Sequence, residues 1–264
     1  MAIATPNTET LARKEAGLRQ LIGEYGPMAI AYSGGVDSSY LAAVAHDVLG
    51  EAARLVLADS PSIPRAEVRD ACALAESRAW PLTVIQTQEF DNEAFLRNDG
   101  TRCYFCKSEL FARMDAFAQR AGVQVLAYGE IADDALDPTR LGSQAAREYR
   151  VVAPLAEAGL YKEEIRALSR QRGLPTAEKA SFACLSSRFP KGTRVDIDAM
   201  RQVEAAEEVL RAEGFRQYRA RHHGDLCRIE CDPADIAKLA EPEVRTRIVQ
   251  GVQAAGYRHV TLDL

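Results

Sequence analysis

The string Ser33-Gly34-Gly35-Val36-Asp37-Ser38-Ser39 constrains this chain more than any other short stretch in it. It follows an apolar run, Met28-Ala29-Ile30-Ala31-Tyr32, that reads as a buried strand. It leads into SYLAAVAHDVLG, which reads as a helix ending at Gly50. The two glycines permit positive φ and a close approach of backbone to ligand. Successive N–H groups, the serine hydroxyls and the helix N-terminus then form a nest for phosphate oxygens. Asp37 would repel a bare phosphate, so its chemical use there is to hold a Mg²⁺ that bridges to pyrophosphate. No lysine follows in the GxxxxGK[ST] position, which excludes a Walker A loop. A tight turn using glycine only for its geometry is the alternative reading of the glycine pair.

The surrounding pattern repeats the strand-then-helix theme. Strands are expected at 54–58, 82–86 and 123–128, with helices at 10–24, 66–78, about 107–120 and 162–172. Strands alternating with helices predict a parallel sheet covered on both faces. The pattern changes after Gly173-Leu174-Pro175. Residues 175–194 are irregular; a helix at 197–213, strands near 215–221 and 226–231, a helix from Asp232-Pro233 to about Ala255 and a terminal strand His259–Leu262 follow. The fold class is therefore α/β: a parallel-sheet domain over 1–180, then a smaller α+β domain over 181–264. A nucleotide belongs over the C-terminal edge of the parallel sheet. That edge adds Ala31, Asp59, Ser60 and Gly129 to the turn residues as nucleotide contacts. Asp133 and Asp134 read equally as a solvated turn or as metal ligands, and Arg140 as a ligand contact or a surface arginine.

The charged fraction of 27% and the hydrophobic fraction of 47% exclude wholesale disorder. A net charge of −5 argues against a protein that coats nucleic acid. No run reaches the roughly 18–20 apolar residues of a membrane span, so no membrane is expected and the cytoplasm is the expected compartment. There the six cysteines are core residues, metal ligands or reactive thiols rather than three disulfides. Cys72 lies on the apolar stripe of its helix, and Cys227 and Cys231 share a strand face with Ile229, so all three read as packing. Cys103-x-x-Cys106, flanked by Arg102 and Lys107, has the spacing of a metal, cluster or dithiol pair. Cys184 lies in the irregular stretch beside Ser186, Ser187 and Arg188. It reads either as an inert buried thiol or as a nucleophile, since positive charge favours a thiolate. Arg219 and Arg221 share one strand face and suit phosphate, a solvated basic strand being the alternative. His222 and His223 read as polar lining.

SGGVDS resembles the signature of the PP-loop ATP pyrophosphatases, which cut ATP between the α- and β-phosphates and adenylylate a substrate oxygen. Residues 102–107 (RCYFCK), 157–179 (EAGLYKEEIRALSRQRGLPTAEK), 183–193 (ACLSSRFPKGT) and 218–230 (YRARHHGDLCRIE) resemble the LarE family. The likeness runs from about residue 10 to 262. LarE proteins are sulfurtransferases for pyridinium-3,5-biscarboxylic acid mononucleotide in nickel-pincer nucleotide biosynthesis. The resemblance implies a PP-loop, adenine nucleotide alpha hydrolase-like fold and an enzyme using ATP and Mg²⁺. It implies ATP contacts at Ala31, Ser33, Gly34, Gly35, Asp37, Ser38, Ser39, Asp59, Ser60 and Gly129, with Asp37 on magnesium. Glu130 and Ile131 depart from the family's GTNADD form, so only the Gly129 backbone is carried over there. Arg219, Arg221 and Arg188 are implied as contacts of the substrate phosphate, and Glu230 as a metal ligand or base.

Cys184 aligns with the family's sulfur donor. In one family design that cysteine attacks the adenylylated carboxyl, expels AMP and loses its sulfur, leaving dehydroalanine. In another, three cysteines hold a [4Fe–4S] cluster whose extra sulfide is the donor, and Cys103, Cys106 and Cys184 match that pattern as one site. Both remain open, with sulfide or a cysteine desulfurase as the outside sulfur source. A small nucleotide-like substrate and a homo-oligomer are also implied. The rival readings are a tRNA thiolase, an ammonia-using amidating synthetase and a non-catalytic nucleotide or metal sensor.

Overall fold

The computed structural model describes residues 8–135, 141–180 and 183–264. Along the chain come α1 (Thr8–Tyr25), β1 (Met28–Ala31), α2 (Val36–Leu49), β2 (Ala53–Asp59), α3 (Arg65–Ser77), β3 (Leu82–Gln86) and α4 (Glu93–Leu96). Next are α5 (Arg102–Ala121), β4 (Val125–Tyr128), α6 (Ala132–Ala135), α7 (Leu141–Glu148), α8 (Pro154–Glu157) and α9 (Lys162–Gln171). The rest is α10 (Ile197–Ala212), β5 (Tyr218–His223), β6 (Leu226–Cys231), α11 (Ile236–Ala240), α12 (Pro242–Ala254) and β7 (His259–Leu262). The chain forms two compact units. The larger contains the described residues of Met1–Ser60, Arg65–Glu89 and Cys103–Ser181. The smaller contains those of Phe182–Leu264 with two excursions, Pro61–Pro64 and Phe90–Arg102.

The larger unit is α/β, with a four-stranded parallel sheet in the order β3-β2-β1-β4. Alternate residues of the central strands feed two cores. Met28, Ile30, Leu55 and Leu57 pack with Leu18, Leu41 and Ile165 from α1, α2 and α9. Ala29, Val56 and Leu126 pack on the other side with Phe111, Met114 and Ala145 from α5 and α7. Burial on both faces explains why β1 reads as a continuous apolar run instead of an alternating one. β2 and β3 extend to one side of β1 and β4 lies on the other. The topological switch therefore falls between the C-terminal ends of β1 and β4, where open parallel sheets bind ligands.

Two expectations about elements are corrected. The helix expected at about 107 begins at Arg102. Asp99 Oδ1 accepts from Thr101 N–H (3.1 Å) and Thr101 Oγ1 (2.6 Å), and this turn starts the helix early enough to place both Cys103 and Cys106 in its N-terminal part. The long final helix is two helices, because Pro242 holds Glu241 extended at φ −56°, ψ 130°.

The smaller unit has a sheet of order β5-β6-β7, with β5/β6 antiparallel and β6/β7 parallel. Its core joins Leu210, Ala220, Ile229, Ile248 and Val252. Cys227 is fully buried in it and Cys231 packs partly buried against it, as the strand parity predicts. Burial pushes the Cys227 thiol up to about 12. Cys72 packs partly buried on the larger unit's core. None of the six cysteines forms a disulfide. Among the described residues, no helix is long and apolar enough to cross a membrane.

Candidate functional site

β1 ends at Ala31, and Tyr32 N–H continues its ladder to Val56 O at 2.9 Å. The chain then turns through Ser33–Gly35 into α2. Gly34 has φ +69°, and a Cβ there would lie 2.6 Å from Ala71 Cβ and 3.0 Å from Ala71 Cα, so both conformation and space demand glycine. The turn is held by its serines. Ser38 Oγ accepts from Ser33 N–H at 3.2 Å and lies 3.1 Å from Ser33 Oγ. Gly35, extended at φ −81°, is the N-cap residue, and no side chain caps α2. The first-turn N–H groups of a helix lack intrahelical partners and suit an anion. Ser39 is fully buried beneath them. Tyr32 fixes the base of the turn by donating its hydroxyl to Ala71 O at 3.2 Å, and burial raises its phenol to about 12.

At the switch point, Gly129 closes against the same helix end. A Cβ on Gly129 would lie 3.1 Å from Ser38 N and 3.2 Å from Ser38 Cα. The family departure at Glu130 has a local use: Tyr128 and Ser143 hydroxyls both donate to its carboxylate. Asp59, at the end of β2, accepts from Arg65 and from Gln86 Nε2 (2.6 Å). The Arg65 hydrogen bond holds its carboxyl below the ordinary range. Ser60 is buried and donates to Glu89, itself only 2% exposed.

Two lysines that the sequence reading did not single out reach this turn. Lys162 Nζ, at the start of α9, lies 2.9 and 2.7 Å from the two Asp37 carboxylate oxygens. Lys179 Nζ donates to Gly34 O at 3.1 Å and pairs with Glu67 at 2.7 Å. Asp133 Oδ2 accepts Lys162 N–H at 2.8 Å, so it serves the start of α9. Asp134 sits in α6; Arg140 lies outside the described residues. The only sequence signal for the lysines was their place within the 157–179 stretch.

Cys103 and Cys106 lie near the N-terminus of α5 at i and i+3, which puts both thiols on one side of the helix. Cys103 is exposed and Cys106 half-buried.

In the smaller unit, Cys184 precedes a single 3₁₀ turn, Leu185–Arg188. Its Sγ lies 3.0 Å from Ser186 Oγ. The backbone of this turn is fixed on every side. Leu185 N–H donates to Ser62 O (2.8 Å), Arg102 Nη1 donates to Ser186 O (2.6 Å) and Arg221 Nη1 donates to Ser187 O (2.7 Å). Both excursions thus help to build the Cys184 turn. Arg188 is 1% exposed; its guanidinium meets Glu207 at 2.6 and 3.2 Å and donates to Ala183 O at 3.0 Å. In this structure Arg188 is a buried strut of the cysteine turn.

Arg219, Arg221, Arg228 and Glu230 are cross-strand partners on one face of β5 and β6. Arg221 grips Glu230 with two hydrogen bonds of 2.8 Å, Arg228 adds one of 3.0 Å, and Arg219 stands 3.7 Å away. Arg221 above all holds the Glu230 carboxyl below its ordinary range. Three guanidiniums around one carboxylate leave a local positive excess, with Arg228 also pairing Asp263 at 2.5 Å. His222 packs at a tilt against the Phe189 ring and its Nδ1 lies 3.1 Å from Tyr257 Oη; burial lowers its imidazole. His223 is exposed.

The turn fits a magnesium nucleotide in one respect: Asp37 offers a single partly exposed carboxylate beside a phosphate nest, and Mg²⁺ takes few protein ligands when phosphates supply the rest. The fit to an iron–sulfur cluster is incomplete. The CxxC pair supplies two thiols, and among the described residues no three His, Cys, Asp or Glu side chains gather as a ligand set.

No family model matches the chain. It is 41% identical over 254 residues to an uncharacterized protein of Synechocystis sp., covering 96% of this chain and 94% of that one. It is 33% identical over 256 residues to the pyridinium-3,5-bisthiocarboxylic acid mononucleotide synthase of Lactiplantibacillus plantarum, covering 97% of this chain and 92% of that one. A partial likeness, 26% over 173 residues, is to the glutamine-hydrolyzing GMP synthase of Chlamydia muridarum and covers 60% of this chain and 34% of that protein.

Proposed function

The chain belongs to the LarE family, that of the pyridinium-3,5-bisthiocarboxylic acid mononucleotide synthases, and on that premise we propose that it is an ATP-dependent sulfurtransferase for a pyridinium carboxylate carried on a mononucleotide. The 33% identity over 97% of the chain carries this reading. The glycine turn supports it as a phosphate nest at a helix start.

In this reading the Ser33–Ser39 turn holds the triphosphate, with Asp59, Ser60 and Gly129 along the neighbouring strand ends. A substrate carboxylate oxygen attacks the α-phosphorus, the bond to the bridging oxygen of the β-phosphate breaks, and pyrophosphate leaves. Mg²⁺, when bound with the nucleotide at Asp37, offsets charge on that leaving group. Arg219 and Arg221 take the phosphate of the mononucleotide. A sulfur nucleophile then adds to the acyl carbon, and AMP departs with the bonding pair to give the thiocarboxylate.

In this reading Cys184 is the sulfur-handling residue, and Cys103 and Cys106 are the further thiols that the cluster alternative would call on. With Cys184 as donor, its thiolate forms the thioester. Loss of the Cα proton then forms the Cα=Cβ bond as Cβ–S breaks, and dehydroalanine remains. A [4Fe–4S] cluster on the three thiolates would instead supply a sulfide and spare the cysteine.

The test is anaerobic incubation with Mg²⁺, ATP and the dicarboxylate mononucleotide. Pyrophosphate and AMP released in step with thiocarboxylate support the reading; no release overturns it, and release only with tRNA or ammonia replaces it with those reactions. Intact mass and iron content taken together decide the sulfur source. Loss of one H₂S per chain after one turnover assigns the cysteine. Unchanged mass with about four irons per chain, lost in Cys103→Ala, assigns the cluster. The family likeness also extends the proposal to a homo-oligomer, read as mass in solution by light scattering.

A further inference from the structure

The Asp37 carboxylate already has a cation on it. Lys162 Nζ sits within 2.9 Å of both oxygens, the same atoms a divalent ion would use. The lysine comes from 125 residues further along the chain, so its arrival depends on how α9 begins. That beginning is fixed three times over. Asp133 accepts Lys162 N–H at 2.8 Å, Glu164 accepts Tyr161 N–H at 2.9 Å, and Lys14 holds Glu164 at 2.6 Å. The pair itself stays partly solvated, with side-chain exposures of 32% for Lys162 and 23% for Asp37, so it is able to exchange partners. The backbone of α9 is thus set while the flexible stem of Lys162 is free to swing by its own length. Lys179, a second lysine at the turn, is directed onto Gly34 O and Glu67.

We propose that Lys162 is a charge gate on the Asp37 metal position: it holds the carboxylate until a triphosphate arrives, then moves onto phosphate oxygens and releases Asp37 to the metal. The proposal rests on the reading that this turn binds ATP. An ammonium and a divalent ion repel each other at close range, and Lys162 engages both Asp37 oxygens, so in this arrangement it disfavours a metal on that carboxylate. The β- and γ-phosphates are the group that draws the ammonium away, and AMP lacks them. Metal and triphosphate binding are therefore coupled, and by linkage each tightens the other. In the loaded state the same ammonium lies on the pyrophosphate that is to leave. Lys162 is thus both the gate and a stabiliser of the leaving group.

The test uses the whole chain with Mn²⁺ as the metal, α,β-methylene-ATP as a triphosphate that cannot be cleaved between its α- and β-phosphates, and electron paramagnetic resonance to count free Mn²⁺. In the wild type, the analogue is expected to tighten Mn²⁺ by at least about tenfold, and AMP to leave it unchanged. In Lys162→Met, nucleotide-free protein should bind Mn²⁺ at least about tenfold more tightly than wild type, with the analogue's further effect lost. Adding Asp37→Asn should abolish that site, and Lys162→Arg should keep it closed. Wild-type AMP affinity and a wild-type circular-dichroism spectrum in Lys162→Met separate the gate from a folding defect; Lys162→Gln, which also removes the charge, carries the test if Met does not fold. Mn²⁺ affinity that is the same with and without the lysine charge overturns the gate while leaving the ATP reading intact. Failure of the wild type to bind the analogue at all overturns the ATP reading itself.

Discussion

The buried pair Arg188–Glu207 gives a large expected effect in the smaller unit. Their side chains are 1% and 4% exposed, and the guanidinium meets the carboxylate at 2.6 and 3.2 Å. Glu207 Oε1 also accepts Ala220 N–H at 3.0 Å, and Arg188 Nη1 donates to Ala183 O and Ser187 Oγ. Glu207→Ala strips a buried guanidinium of its counter-charge and a buried amide of its acceptor. Removing one partner of a buried pair costs about 3–5 kcal/mol, and the orphaned amide adds about 1–3 kcal/mol before relaxation or water entry. A loss of at least about 3 kcal/mol is therefore expected. The double variant Arg188→Met with Glu207→Leu removes both charges and keeps the bulk, so it should recover much of that loss. Urea unfolding by circular dichroism gives the four corners of the cycle. Hydrogen exchange at the Ala220 amide places the effect, since its acceptor is lost in every Glu207 variant. A Glu207→Ala loss below about 1 kcal/mol, the range of an exposed pair, would refute the reasoning. So would a double variant as unstable as the sum of the singles, because the cost would then not come from an unpaired charge.

Other outcomes follow from the same structure. Gly34→Ala forces a Cβ to 2.6 Å from Ala71 at φ +69°, so a loss of about 1–3 kcal/mol is expected, read by the fluorescence of Trp80, the single tryptophan, during urea unfolding; an unchanged midpoint contradicts it. Glu230 has a folded carboxyl lowered by Arg221, so its stabilising contribution is present above the unfolded value of about 4.3 and is lost as pH falls through the lower folded one. The difference in stability between wild type and Glu230→Gln should accordingly shrink on acidification, and a constant difference from neutral pH to below the folded value would remove the assignment. Native alkylation with iodoacetamide near pH 8 should label the exposed Cys103 and spare Cys227, whose thiol is buried and raised to about 12, and peptide mapping checks it.

What the sequence made legible, and what it hid, divides by how local the determinant is. The βα unit at 28–49 is readable because each part is a property of neighbouring residues: an apolar run, two glycines, an alanine-rich helix. The shared face of Arg219, Arg221 and Glu230 is equally readable, since strand parity and a short hairpin fix it within a dozen residues. The start of α5 escapes because its determinant is a polar turn, Asp99–Thr101, that leaves no trace in hydrophobic spacing. The excursions at 61–64 and 90–102 escape for a related reason. They meet the smaller unit in part through backbone groups, such as Val195 N–H on Leu96 O and Gly192 N–H on Asn98 O, which any residue type supplies. Charged side chains are hardest of all. Arg188 beside Cys184 invites a ligand role, yet its partner Glu207 lies 19 residues on, inside α10, and burial of both is a tertiary property. Lys162 opens an amphipathic helix and nothing in its spacing singles it out, yet its partner is 125 residues back. A charge takes its meaning from a counter-charge that spacing does not specify. Residues that sequence reading assigns to solvent or ligand by charge alone are therefore the ones whose roles only the fold distinguishes, and in this chain they stand at both the glycine turn and the cysteine turn.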